Sequence, residues 1–221
     1  MQKITVLYED DAILAVSKPE GIATIPSVRG GLSALELLRA ETAKELLVVH
    51  RLDKAVSGAL LFAKTRESHR ELNRIFLERT ADKFYAAVLW GRPQRDCGTI
   101  DAPLRQFGSG RTGVDIQKGK PCRTEYAVLG SSAGFSLARI RLITGRRHQI
   151  RAHFYSEKTP VAGDLRYGDR ARQSLIPRLL LHSWRIRLEL GGKRLEITAP
   201  LPESFVAGAR DAGLEEFLSL L

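Results

Sequence analysis

The chain has 221 residues, with 35 Lys or Arg against 25 Asp or Glu for a formal charge of +10, and 43% of its side chains are hydrophobic. At about 100–200 residues per domain this is one large domain or two small ones, apolar enough to build a core, which excludes a disordered polycation. The longest apolar runs, such as residues 59–63, fall far short of the roughly 18 needed to cross a bilayer, and residues 1–10 carry no signal-peptide pattern. A cytoplasmic protein without a membrane partner is therefore expected.

The charge is regional. It amounts to +1 over residues 1–104, +13 over 105–194 and −4 over 195–221, and 15 of the 19 basic residues in the middle block are Arg. The planar guanidinium grips phosphate through two parallel hydrogen bonds, so a polyanion is the leading partner, with a plain solvated basic face as the alternative. Cys97 and Cys122 are too few for a disulfide framework and match no zinc knuckle, so both read as reduced and structural.

In chain order, residues 4–8 and 13–16 are short β-rich runs joined by an acidic turn at Glu9, Asp10 and Asp11, which reads as a hairpin. Ser33 and Glu36 have capping-box spacing and open a helix with Leu35, Leu38, Thr42 and Leu46 near one face. A polar segment, residues 50–58, precedes an apolar strand at 59–64 and is the first place suited to chemistry. A second helix over 67–78 sets Leu72, Ile75 and Phe76 against a stripe of Arg66, Arg70 and Arg74, read as a solvated face. Residues 83–90 alternate as a strand, and 102–121 read as a long basic loop. Strands are expected at 123–129 and 135–142, then a helix from about Arg146, a hairpin across Gly191 and Gly192, and a last helix over 202–221. Strands with interspersed helices and hairpin-length turns predict an α+β fold around a mixed, mostly antiparallel sheet.

Gly108, Gly110 and Gly113 have the spacing of a dinucleotide fingerprint but lack the strand before and helix after that it requires. The histidines make no zinc signature: His148 and His153 are five apart with no acidic residue between them. No serine sits in a nucleophile elbow. Two constellations remain. His50-Arg51-Leu52-Asp53-Lys54 followed by Ser57-Gly58 sets one carboxylate among cations, which favours the ionised form and suits a nucleophile or base, although a turn-capping aspartate would have the same neighbours. Residues 144–153 place Arg147 and Arg151 four apart after a glycine turn, a cradle for phosphate or carboxylate if they share a helix, or simply a basic helix.

Together these segments resemble the pseudouridine synthases of the RluA type, whose signature is a His-Arg-Leu-Asp loop with a following Ser-Gly and a later Gly-Arg-x-His-Gln-Ile/Leu-Arg-x-His segment. Ser17-Lys18-Pro19-Glu20-Gly21, Lys83 to Gly91, Gly119 to Tyr126, Gly163 to Gly168 and Leu179 to His182 extend the resemblance through most of the chain. His50 before Arg51, and His153 after Arg151, separate it from the RsuA type. Val56 stands where the family often has Thr, and the first strand begins at the very start, which leaves no place for the small N-terminal RNA-binding domain of larger members.

The resemblance implies a single catalytic domain over residues 1–221 that turns uridine in RNA into pseudouridine without cofactor or metal. The N1–C1′ bond breaks, the base turns over, and C5 joins C1′. Carried over by position, Asp53 is the catalytic carboxylate, able to attack C1′, to add to C6 or to take a proton from C2′. Arg151 is its basic partner, Tyr85 stacks on the base, Ile150 lines the base pocket, and Arg51 helps displace the nucleotide from its helix. The implied partner is structured RNA, a ribosomal or transfer RNA stem-loop, and the implied state a monomer. A catalytically silent RNA-binding protein with the same fold is the alternative.

Overall fold

The computed structural model describes residues 4–26, 30–43 and 45–221. The chain forms two compact units, Met1–Lys83 with Ser183–Pro202, and Phe84–His182 with Glu203–Leu221. In chain order the first holds β1 (Thr5–Glu9), β2 (Ile13–Lys18), α1 (Ala34–Thr42), β3 (Leu47–Val48), β4 (Ser57–Ala63) and α2 (Arg66–Glu78). The strand β5 (Asp82–Trp90) leads into the second unit. There follow β6 (Cys97–Asp101), β7 (Leu104–Gln106), β8 (Thr112–Val114), β9 (Arg123–Ser132), β10 (Phe135–Leu142), α3 (Gln149–Ser156) and α4 (Arg170–Gln173). The chain returns to the first unit through β11 (Leu181–Leu190) and β12 (Lys193–Thr198) and ends in the second with α5 (Glu203–Asp211) and a 3-10 helix, Glu215–Leu220.

In the first unit the expected hairpin forms because Oδ1 of Asp10 accepts the N–H groups of Ala12 and Ile13, both at 2.8 Å, and so closes the acidic turn between β1 and β2. The strand β2 pairs with β4 from Ile13 opposite Ala63 to Lys18 opposite Gly58, and β3 also pairs with β4. Every residue of β4 is buried, so its apolar run is that of a strand covered on both faces. Ala15, Ala59, Leu61, Leu72, Ile75, Ile186, Leu188 and Ile197 join in one core, with the apolar stripe of α2 against it. The capping box of α1 forms as expected: Ser33 Oγ accepts the Glu36 N–H at 3.2 Å, and Glu36 Oε2 accepts the Ser33 N–H at 2.9 Å. That exchange stabilises the helix start by about 1 kcal/mol. The helix stops at Thr42, so Leu46 is buried beyond it and not on its face. Gly191 and Gly192 join β11 to β12 with φ of 55° and 74°, the two positive angles a two-residue hairpin turn demands.

In the second unit the strand order is β5-β10-β9-β6, antiparallel throughout, and β7 pairs with β8 in a separate hairpin. Residues 102–121 are thus an ordered hairpin and not a loop, because Phe107 and Arg111 close a short turn and Leu104 exchanges backbone bonds with Lys120 at 2.8 and 3.0 Å. Gly108 and Gly110 lie in the turn and Gly113 within β8, so the three glycines have no dinucleotide fingerprint context. The helix α3 starts at Gln149, later than the expected Arg146, so Arg147 lies ahead of it and cannot stack on Arg151 as a helical cradle. The terminal helix divides in two near Gly213, and Phe217 of its second part packs over Gly130 of β9. Short β3 and β6 have no signal in the hydrophobic pattern because each is held by a strand distant in sequence, and α4, capped by Asp169, is too short to show a period. Among the described residues no helix is long and apolar enough to cross a membrane.

Candidate active site

The loop between β3 and β4 carries Arg51 and Asp53. Leu52 is buried, Arg51 is exposed, and His50 and Asp53 are half-buried. Three anchors fix this. Nε2 of His50 accepts the Leu61 N–H at 3.0 Å, and its ring packs against Phe76 with centroids 5.0 Å apart. Burial, with Lys83 as a second cause, pulls the His50 pKa down to about 3, so the ring stays neutral and keeps its acceptor. The hydroxyl of buried Thr24 takes both backbone groups of Leu52, donating to its carbonyl at 3.0 Å and accepting its N–H at 3.1 Å. Lys18, fully buried, donates to the carbonyls of Pro19 and Ile22 at 2.7 and 2.8 Å and of Lys54 at 3.5 Å, while the Gly21 N–H also reaches the Lys54 carbonyl at 2.8 Å. The Lys-Pro-x-Gly segment is therefore a clamp on the Asp53 loop. Gly58, at φ 117°, lets β4 lie so close to Ser183 that a Cβ would overlap its backbone carbonyl.

In the second unit Tyr85 lies on β5 opposite Ile140 and is 8% exposed, while Ile150 and Arg151 are neighbours on α3 at 4% and 8%. The first six residues of α3 are all buried, as expected of a helix enclosed on every side. The motif around Arg151 ties this helix down. Gln149 Oε1 accepts from the Thr144 hydroxyl at 2.7 Å and the Arg146 N–H at 3.0 Å, and its Nε2 donates to the Arg123 carbonyl at 3.0 Å and Thr124 Oγ1 at 2.9 Å. His153 spans the Ala102 carbonyl and Thr124 Oγ1, each at 2.9 Å; the carbonyl needs a donor, which places the ring proton on Nε2. Arg151 presents Nε and Nη2 to the carboxylate of Asp164 at 2.7 and 2.8 Å and lies 5.1 Å from the centre of the Tyr167 ring. Tyr167 Oη accepts the Thr112 N–H at 3.0 Å, which leaves its proton for Nδ1 of His148, also at 3.0 Å.

The first unit thus carries Arg51 and Asp53 on one clamped loop, and the second carries Tyr85, Ile150 and Arg151 in its core. Lys18, Gln149, Asp164 and Tyr167 stand within the motifs of the sequence, which mark their positions and not what they hold, and Thr24 stands in none of them. The bonds of Lys18 to Lys54, Thr24 to Leu52 and Gln149 to Thr124 join residues far apart in the chain. Both cysteines are free, and burial pushes the Cys122 thiol up, as befits a packing residue.

Residues 12–156 match the family model described as RNA pseudouridylate synthase, a span that holds Arg51, Asp53, Tyr85, Ile150 and Arg151. The chain belongs to the RNA pseudouridylate synthase family. Among its relatives is the ribosomal large subunit pseudouridine synthase C of Vibrio cholerae, 38% identical over 209 residues that cover 89% of this chain and 65% of that protein. The ribosomal large subunit pseudouridine synthase D of Nitrosomonas europaea is 34% identical over 220 residues, 92% of this chain and 64% of the relative. The chain therefore spans just under two thirds of the length of these curated relatives. A solved structure of human RNA pseudouridylate synthase domain containing 1 superposes with a TM-score of 0.81 at 28% identity, covering 93% of this chain and 87% of that one. The α+β fold with its mostly antiparallel sheet is thus the fold of other pseudouridylate synthases, as the motifs imply.

Proposed function

We propose that this protein isomerises uridine to pseudouridine within structured RNA, with residues 1–221 acting as one catalytic domain and Asp53 as its carboxylate. The observation that carries the reading is the Asp53 loop itself. Buried Lys18 and Thr24 and half-buried His50 bond to the backbone of Lys54, Leu52 and Leu61, and the half-buried residue held between Leu52 and Lys54 is a carboxylate. A turn-capping aspartate needs no such support, whereas a group that must meet a reacting carbon or proton does. In this reading Arg51 draws the target nucleotide out of its stack, Tyr85 and Ile150 receive the base, and Arg151 supplies the cationic support for the step at Asp53. The reaction is redox-neutral: C1′ is transferred from N1 to C5, the C5 proton leaves to solvent, and N1 takes one up.

Two relatives are named for the ribosomal large subunit, which favours ribosomal RNA over transfer RNA as the substrate. The Arg-rich block 105–194 supports the same class of partner, because its exposed Arg105, Lys118, Lys120, Arg146, Arg147, Arg166, Arg170 and Arg172 supply the phosphate contacts. The test is release of tritium from RNA labelled at uridine C5. Wild-type protein is expected to release it, and Asp53→Asn to release none while still binding RNA. Turnover by clean Asp53→Asn removes Asp53 from the role; binding without release by the wild type points to a silent RNA-binding protein; and free uracil as product points to a glycosidase. Mapping pseudouridines in RNA from cells with and without the protein identifies the site.

A further inference from the structure

We propose that Asp164 is a positioning residue for the reaction, acting through Arg151, and that Tyr167 extends that hold to the β7–β8 hairpin. The inference rests on the reading of Arg151 given above. An arginine side chain has four rotatable bonds, and one that must support a developing charge in a fixed direction needs its fork held. In this protein the fork is held on one edge: Nε and Nη2 meet the two oxygens of Asp164 at 2.7 and 2.8 Å, a parallel bidentate pair between a carboxylate 1% exposed and an arginine 8% exposed.

The carboxylate is itself fixed. Its Oδ1 accepts the N–H groups of Arg166 and Tyr167 at 3.0 and 3.2 Å, and its own N–H donates to Gln173 Oε1 at 3.1 Å. Gln173 in turn donates from Nε2 to the carbonyls of Val161 and Tyr167, both at 3.1 Å. The Tyr167 ring lies within cation–π range of the guanidinium, 5.1 Å from its centre, and Arg111 of the hairpin turn lies 5.0 Å from the same ring. Through Oη the same side chain accepts the Thr112 N–H at the start of β8. Two groups that carry opposite charge are expensive to bury, and well-packed apolar residues would stabilise the core as well. What the pair supplies is direction. The Gly-Asp-x-x-Tyr-Gly turn is the device that aims Arg151, with the basic hairpin registered to it.

The experiment measures kcat and KM for tritium release in Asp164→Asn, Arg151→Met and the double variant. Asp164→Asn keeps an oxygen for the two backbone donors and loses the charged fork, so kcat is expected to fall about 100-fold with KM for RNA unchanged within about twofold. Arg151→Met is expected to be impaired at least as much, and the double variant to match it, because Asp164 has nothing left to aim. Full activity in Arg151→Met overturns the role of Arg151 and this proposal with it. An impaired Arg151→Met beside an unimpaired Asp164→Asn, or losses that multiply in the double variant, overturns the role of Asp164 alone. Asp164→Glu keeps the buried charge opposed and serves if Asp164→Asn does not fold. Its kcat is expected about 10-fold below wild type, and a full kcat there overturns the proposal.

Discussion

Nε2 of His50 accepts the backbone N–H of Leu61 at 3.0 Å, so the histidine next to the proposed Arg51 and Asp53 is a neutral pin between the loop and β4. Its pKa of about 3 lies below the ordinary 6.5, which means the unfolded chain binds the proton more readily. The contribution of His50 to stability is therefore complete above pH 6.5 and is lost as pH falls towards 3, at up to about 1.4 kcal/mol per pH unit. His50→Gln can still accept from Leu61 but does not titrate. Chemical denaturation between pH 4 and pH 8 is expected to show a flatter profile for the variant. His153, whose pKa burial also lowers, contributes a slope of the same sign in both proteins, so the difference between profiles reports His50. Parallel profiles would mean that His50 takes up its proton as readily in the native protein as in the unfolded chain.

Lys18→Met keeps the aliphatic stem and removes the ammonium that the Pro19 and Ile22 carbonyls accept from. Leaving buried acceptors without donors costs about 1–3 kcal/mol each, so a loss of about 2–4 kcal/mol in urea unfolding is expected. Because the same ammonium reaches the Lys54 carbonyl, turnover is expected to fall further than the folded fraction does. Turnover that simply follows the folded fraction would show that the clamp has no bearing on Asp53.

Gly58 sits at φ 117° with no space for a Cβ against Ser183. Gly58→Ala combines backbone strain with overlap against a neighbouring strand, expected to destabilise by about 3 kcal/mol or more. Thermal unfolding measures it. A loss below about 1 kcal/mol would show that the backbone at Ser183 gives way.

Lys118 and Lys120 are exposed on the segment that returns from β8. Replacing both by Glu is expected to weaken RNA binding and to lower the slope of log affinity against log salt by about 1 for each phosphate that is no longer neutralised. Filter binding across a salt series reads this directly, and an unchanged slope would take this segment out of the RNA path.

Periodicity and capping chemistry make much of the fold legible in one dimension. The hairpin at Asp10, the Ser33 capping box, the amphipathic α2 and the Gly191-Gly192 turn all depend on interactions within a few residues, so local sequence determines them. The proposed site residues Arg51, Asp53, Tyr85, Ile150 and Arg151 likewise stand in ordered motifs of the sequence. Tertiary structure decided how those residues are held. Arg151 and Asp164, 13 residues apart, form a buried ion pair, and His153 reaches back 51 residues to the Ala102 carbonyl. It also turned an expected basic loop into the β7–β8 hairpin, through backbone bonds to Lys120 and the hydroxyl of Tyr167. Burying a polar group is tolerable only when a partner meets it at hydrogen-bond distance, and which distant residue that partner is depends on the folded chain.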